Sequence, residues 1–276
     1  MNQNIRVTIL VDNRASEGLK AEHGFALWIE TDGKKILLDT GQGPALVYNA
    51  SQLGIDLKTT DMVVLSHGHY DHSGGLAEVL ALAPGARVLA HAGVTRERFS
   101  VGPEGSRRIG MPPESLAAFE AMQPERLYFV KASLYLSDRV GLTGPIPRLT
   151  DFEDTGGPFF LDEQGKTADP IEDDLAIWVR TPGGLVVLVG CAHAGLINTL
   201  NHIMNLERGL SLRTVLGGFH LRTASELRLT RTLTALKQAS PQLVVPCHCT
   251  GLAAMTAFGK ELAQQCVWGS VGEVRV

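Results

Sequence analysis

Apolar and polar residues alternate along this chain in short, strand-sized runs, broken by turn residues and by a few stretches with helical spacing. Residues 5–11 and 25–30 read as strands. Thr31-Asp32-Gly33-Lys34 reads as the turn into a third strand at 35–38, since Asp-Gly between apolar runs is a strong hairpin signal. Met62-Val63-Val64-Leu65 is a continuous apolar run, the mark of a buried strand. Residues 74–83 read as a short helix, Pro84-Gly85 as a turn and 87–90 as the next strand, and this half closes near His91. Regular structure resumes at 175–180, and Pro182-Gly183-Gly184 turns into a strand at 185–190. Leu196, Leu200, Ile203 and Met204 then recur at helical spacing, with Gly209 as the stop. After a strand at 214–216, Thr223-Ala224-Ser225-Glu226 has the form of a capping box opening a helix through Leu229, Leu233 and Leu236. A strand at 243–245 and a last helix, capped by Thr250, complete the pattern. The strand–loop–helix order recurs in both halves, which is weak evidence for an internal duplication.

Between about 94 and 170 the periodicity fades, and most of the prolines collect there. This stretch reads as an irregular insertion over a site, within a single domain spanning 1–276. It holds a helix at 113–122 and strands near 127–130 and 134–136. Loops of this kind commonly carry binding residues on a rigid scaffold.

Composition narrows the class. The chain has 276 residues, 44% of them hydrophobic, which is ample for one large α/β core. A net charge of −4 favours neither nucleic acid nor a membrane surface as a partner. No apolar run approaches the roughly 20 residues that span a bilayer. The N-terminus, Met1 to Arg6, lacks a basic region followed by an apolar stretch, so no signal peptide is expected. Cys191, Cys247, Cys249 and Cys266 form neither a zinc knuckle nor a disulfide framework, and a reducing cytoplasm is the simplest compartment. In an extended segment Cys247 and Cys249 would face away from His248, as packed small hydrophobes. The oligomeric state is left open, a homo-oligomer included.

The chemistry concentrates in Ser66-His67-Gly68-His69-Tyr70-Asp71-His72, at the end of the apolar run. Neutral imidazole and carboxylate suit zinc, iron and manganese alike. His67 and His69 point to one side if extended, and Asp71 and His72 follow where a turn can aim them at a second ion. A histidine-rich surface loop is the bland alternative, and four donors directly after a buried run argue against it.

His67-x-His69-x-Asp71-His72, followed by Ser73-Gly74-Gly75-Leu76, resembles the metallo-β-lactamase superfamily signature, as does the upstream Ile36-Leu37-Leu38-Asp39-Thr40-Gly41. Gly190-Cys191-Ala192-His193-Ala194-Gly195, Gly217-Gly218-Phe219-His220-Leu221 and Pro246-Cys247-His248-Cys249-Thr250-Gly251 resemble one branch of its metal-dependent hydrolases, similar to a methanopterin-pathway dihydropterin synthase. The resemblance runs from about Val7 to the C-terminus. It implies a four-layer αββα sandwich, an α/β fold with metals at one rim. It also implies that His67 and His69 hold a first ion and that Asp71, His72 and His248 hold a second. The superfamily's usual third histidine for the first ion is replaced by Glu172-Asp173-Asp174, which leaves His193 as the candidate. Cys191 stands where the superfamily has a bridging aspartate, and is either a ligand or a buried inert thiol. Asp39 matches an aspartate that orients a ligand histidine. His220 could ligate, polarise a substrate oxygen, or be structural.

Each of these groups precedes a predicted helix, and helix starts favour anions. Arg107, Arg108 and Arg148 in the insertion are candidates for holding a carboxylate or phosphate. His23 is a candidate for lining the pocket; Asn13, His91 and His202 are weaker, His202 falling on a helix surface. The expected activity is hydrolysis of a small anionic ester, lactone or phosphoester by hydroxide shared between two divalent ions, zinc before iron or manganese. Asp71 would move the proton. The alternatives are a synthase joining a dihydropterin to a ribofuranosylaminobenzene phosphate, and a metal-bound small-molecule sensor with vestigial catalysis.

Overall fold

Strand residues alternate between two apolar layers, and this alternation builds the molecule. The computed structural model describes residues 5–274, so Met1–Asn4, where the sequence was read for a leader, lie outside them. In chain order the first part comprises β1 (Arg6–Val11), β2 (Ala26–Thr31), β3 (Lys34–Leu38), α1 (Pro44–Gln52), β4 (Met62–Val64), α2 (Tyr70–Ser73), α3 (Leu76–Leu82) and β5 (Arg87–Ala90). Next come β6 (Phe99–Gly102), β7 (Gly105–Arg108), α4 (Pro113–Glu120), β8 (Leu127–Phe129), β9 (Leu134–Tyr135), β10 (Val140–Leu142) and β11 (Phe159–Phe160). The last part holds β12 (Ala176–Thr181), β13 (Gly184–Val189), α5 (Leu196–Leu206), β14 (Leu212–Gly218), α6 (Glu226–Ala239), β15 (Leu243–Cys247), α7 (Leu252–Leu262) and β16 (Gly272–Val274).

A seven-stranded sheet runs β16-β1-β2-β3-β4-β5-β8, and a six-stranded sheet runs β15-β14-β13-β12-β10-β9. Val7, Ile9, Leu27, Ile29, Ile36 and Leu38 of the first sheet share a buried cluster with Ile177, Val179, Val186 and Leu188 of the second. The intervening residues face outward. Trp28, Leu37 and Val63 pack with α1, α3 and α4 residues, while Trp178, Val187 and Val215 pack with α5, α6 and α7 residues. Helices therefore cover both outer faces, giving four layers in the order αββα. No helix among the described residues is long and apolar enough to cross a membrane.

The 94–170 segment is more regular than its weak periodicity predicts. β8 extends the first sheet, and β9 and β10 extend the second. Only the small sheet β11-β6-β7 and the loops around it lie over the rim. β8 and β9 lie where strands were expected near 127–130 and 134–136, whereas β6, β7, β10 and β11, of two to four residues each, are too short to show a clear period. Two caps also differ from expectation. Ser225, not Thr223, caps α6, its side chain accepting from the Arg228 amide. The cap of α7 is Gly251, because the Thr250 hydroxyl accepts the Phe219 amide instead.

Parallel pairing places the chemistry. β3, β4 and β5 run parallel, as do β13, β14 and β15, so the carboxyl ends of each set emerge at one rim. Asp39 follows β3, His67 to His72 follow β4, Cys191 and His193 follow β13, His220 follows β14, and His248 follows β15. Four of these loops turn through a non-glycine residue with positive φ: Asp39, Ala192, His220 and His248. Such backbone is costly and tends to collect at functional sites.

Candidate metal centre

The imidazoles converge, and His67, His72, His193 and His248 each have the outer ring nitrogen held by the protein. The Ser66 hydroxyl donates to Asp39 Oδ2 at 2.7 Å, so it can only accept from His67 Nδ1 at 2.9 Å. That leaves the lone pair of His67 on Nε2, which meets His69 Nδ1 at 2.9 Å. His193 Nδ1 donates to the Thr155 carbonyl at 2.8 Å, leaving Nε2 buried and without a partner. His67, His69 and His193 thus form one group of donors, all within 4.8 Å of one another.

A second set lies beside it. His72 Nδ1 donates to Asp39 Oδ2 at 2.7 Å, and its Nε2 lies 3.0 Å from Cys191 Sγ. His248 Nδ1 donates to Asn13 Oδ1 at 2.8 Å, and its Nε2 lies 3.4 Å from Asp71 Oδ2. His23 Nε2 reaches the same carboxylate oxygen at 3.1 Å. Asp71 therefore groups with His23 and His248, whereas His72 groups with His67 and Cys191. Cys191 also forms groups with His193 and His220, and with His248 and Cys249. Its sulfur stands between the two halves of the cluster.

Electrostatics prepares these groups for a cation. Burial first, then mutual repulsion, holds His67, His69 and His193 well below the usual imidazole range, so they are neutral donors. Burial acts against His72 as well, but Asp39 outweighs it and raises His72 to about 9. At Asp71 burial is outweighed by hydrogen bonds from His23 and His248, which keep the carboxyl well below its usual range. His69 Nε2, His193 Nε2 and His220 Nδ1 are buried polar atoms with no hydrogen-bond partner. Such orphans are rare in native interiors. Neutral imidazoles with fixed tautomers and unpartnered nitrogens fit divalent ions, and held outer nitrogens are what metal-binding histidines need.

The acidic run Glu172-Asp173-Asp174 plays a different part from the histidine it replaces. Asp173 accepts the Gly68 amide at 2.9 Å, between His67 and His69. Asp174 accepts the Ala194 amide at 2.5 Å, next to His193. Both carboxylates hold backbone beside imidazoles of the cluster.

A cleft of about 190 Å³ opens over the cluster. His69, Asp71, Cys191, His220 and His248 line its floor, and Tyr70, Arg107 and Arg222 line its wall. Arg107 lies over the Tyr70 ring, 5.3 Å from its centroid. His220 is wedged by Gly156, where a Cβ would fall 2.0 Å from the imidazole.

Three expectations are corrected. Arg148 is not available to a substrate, because its guanidinium donates to the carbonyls of His193, Pro170 and Ile171. Arg108 pairs with Glu97 and is absent from the cleft wall. Cys249 does not face away. His248 has a φ of 47° and opens a 3-10 turn, so the backbone is no longer extended and Cys249 Sγ swings to 3.2 Å from Cys191 Sγ. Cys247 does pack in the apolar layer between the sheets. Of the weaker candidates, His23 and Asn13 line the cleft. His91 holds the Gly93 amide, and half-buried His202 pairs with the Thr143 carbonyl. Arg222, Thr155 and Ser66 were not foreseen at the site, and of these Arg222, two residues after His220, carried a chemical signal.

The metallo-beta-lactamase superfamily model matches residues 19–248. The chain is 30% identical over 271 residues to the uncharacterised protein MJ0448 of Methanocaldococcus jannaschii, covering 97% of this chain and 98% of that one. It is 27% identical to the 7,8-dihydropterin-6-methyl-4-(beta-D-ribofuranosyl)-aminobenzene-5'-phosphate synthase of the same organism, over 95% of this chain and 92% of the other. Among solved structures, Tm1679, a metal-dependent hydrolase of the beta-lactamase superfamily, superposes with a TM-score of 0.83 at 29% identity, over 99% of both chains.

Proposed function

The chain belongs to the metallo-β-lactamase superfamily, and from that premise we propose that it is a metal-dependent hydrolase acting on a small ester, lactone or phosphoester that carries an anionic group. The observation that carries this reading is the convergence of imidazoles at one rim, with the outer ring nitrogens of His67, His72, His193 and His248 held by the protein. His67, His69 and His193 would hold one ion. His72, His248 and Asp71 would hold the other, with Cys191 between them. Two divalent ions held by these residues would supply Lewis acidity, making water acidic enough to act near neutral pH and offsetting negative charge as it develops.

The remaining steps belong to the protein's own side chains. Asp71 keeps a carboxylate oxygen at the cleft floor and takes the proton released on attack. His220 stands where it can donate to the substrate oxygen that gains charge. Arg107 and Arg222, with the Tyr70 hydroxyl, face the outer part of the cleft and suit a phosphate or carboxylate. A volume of about 190 Å³, below the roughly 300–1,000 Å³ of drug-sized sites, suits one end group rather than a polymer.

The test is turnover of metal-loaded protein on phosphomonoesters, phosphodiesters and lactones. His69→Ala and Asp71→Ala should lose both activity and bound metal while keeping the fold. Full activity in either variant refutes the proposal. The similarity to a pterin-pathway synthase favours a second reading, so a dihydropterin and a ribofuranosylaminobenzene phosphate belong in the same panel. Product from that pair, without hydrolysis, would favour the synthase. The third reading, a metal-bound sensor, rests on the loss of the superfamily's usual third histidine and bridging aspartate, and a tightly held small molecule without turnover would favour it.

A further inference from the structure

Cys247 and Cys249 flank the same histidine, yet their sulfurs lie in different worlds. Cys247 Sγ donates to the Val245 carbonyl at 3.4 Å within the layer between the sheets. Cys249 Sγ instead reaches the cleft, where its neighbours are Cys191 at 3.2 Å and the imidazoles of His248 and His220. Two features of the backbone put it there. The left-handed His248 breaks the strand and starts the 3-10 turn that redirects the next side chain. Gly218 on the adjoining strand leaves the space, since a Cβ at that position would lie 2.7 Å from Cys249 Sγ. The donor atoms of Cys191, His248 and Cys249 all fall within 4.8 Å of one another. A pair of reduced thiols could be mere packing if apolar groups surrounded them. Here they line a polar cleft beside imidazoles.

We propose that Cys249 is a thiolate ligand of the second ion, alongside Cys191 and His248, and that this arm makes the site select zinc or iron(II) over manganese and magnesium. Thiolates favour softer ions, whereas a site of carboxylate and imidazole alone discriminates less strongly against manganese. Each thiol gives its proton to solvent as it binds. The inference rests on the two-ion reading above.

The experiment is a cobalt(II) titration of the metal-free, full-length protein under argon with a non-coordinating reductant. Thiolate ligation gives charge-transfer absorption in the near ultraviolet. Cys249→Ser should lose about half of that absorption, and the Cys191→Ser/Cys249→Ser pair all of it. Cys247→Ser should lose none. Selectivity for zinc over manganese should fall at least about tenfold in Cys249→Ser. Undiminished absorption in Cys249→Ser overturns the proposal. Should that variant fail to fold, alkylation of the wild-type protein decides. Zinc should slow labelling of Cys249 at least about tenfold and leave half-buried Cys266 unchanged. Equal labelling of Cys249 with and without zinc overturns the assignment. If two cobalt ions bind without a Cys249-dependent band, only the thiolate fails. If no cobalt binds, the two-ion reading fails with it.

Discussion

Gly68 donates its amide N–H to Asp173 at 2.9 Å, and that bond fixes the single residue between His67 and His69. Asp173 is itself gripped by Arg98, whose Nη1 and Nη2 donate to its two oxygens at 2.9 and 2.5 Å. The Arg98 Nε pairs with Asp169 at 2.7 Å, and all three side chains are fully buried. Gly68 also has no room for a side chain, because a Cβ would fall 2.0 Å from the Val94 carbonyl oxygen. The pitch of the two neighbouring histidines is thus set by an ion network that hydrogen-bonds to neither imidazole.

Breaking a buried ion network by removing one member leaves uncompensated charge. Arg98→Ala should destabilise the protein by about 3–5 kcal/mol, measured by urea unfolding. Lysine should not rescue it, since one ammonium cannot span both carboxylates. A cost below about 1 kcal/mol for Arg98→Ala would contradict the network's role.

The metal-free protein should lose stability at both ends of the pH scale, for opposite reasons. His67, His69 and His193 have lowered pKa values, so the unfolded chain takes up protons that these buried rings refuse. Stability therefore falls as pH drops below about 6.5. His72 is raised from 6.5 to about 9, so the stability it brings is full below 6.5 and lost as pH rises through about 9. Asp39→Asn should erase the alkaline limb and leave the acidic one. Urea midpoints between pH 5 and pH 10 distinguish these outcomes, and an unchanged alkaline limb in Asp39→Asn would sink the assignment.

Asp174 titrates in the other sense. Burial, only partly offset by the Ala194 amide and Arg148, raises its carboxyl from 3.8 to about 7. The folded state therefore prefers the proton, and stability falls as pH rises from about 4 to about 7. Asp174→Asn keeps an acceptor for the Ala194 amide without the charge. Its stability relative to wild type should climb across that window and then level off, in paired unfolding curves of metal-free protein. A difference that stays flat with pH is the contrary result.

The cleft wall offers a test of substrate charge. Arg107→Ala and Arg222→Ala should each raise KM for a phosphomonoester about tenfold and barely change turnover of a neutral lactone. The effect should shrink as ionic strength rises, because both guanidiniums are open to solvent. Equal losses on both substrates would show that these residues serve the fold instead.

The histidine cluster was legible because its donors are crowded into one local segment after an apolar run. The αββα layering was legible only through the resemblance that the metal-binding motifs carry, whereas the apolar runs by themselves marked separate strands. What stayed hidden acts over long range or through the backbone. Asp173 and Asp174 looked like a lost ligand because their partners are main-chain amides far away in sequence. Arg148 looked free because carbonyl acceptors leave no trace in side-chain identity. Cys249 was misplaced because period-two reasoning assumes extended backbone, and His248 is left-handed.

His67, His69 and His72 leave one sheet, while Cys191, His193 and His248 leave the other. Cations lodged among them would rivet the two halves of the molecule across their seam. Occupancy then becomes part of the folding equilibrium, so the melting temperature should climb with free zinc concentration. A chelator should loosen the seam first at the rim, with faster amide exchange at the ends of β4 and β13 than in the middle of either sheet.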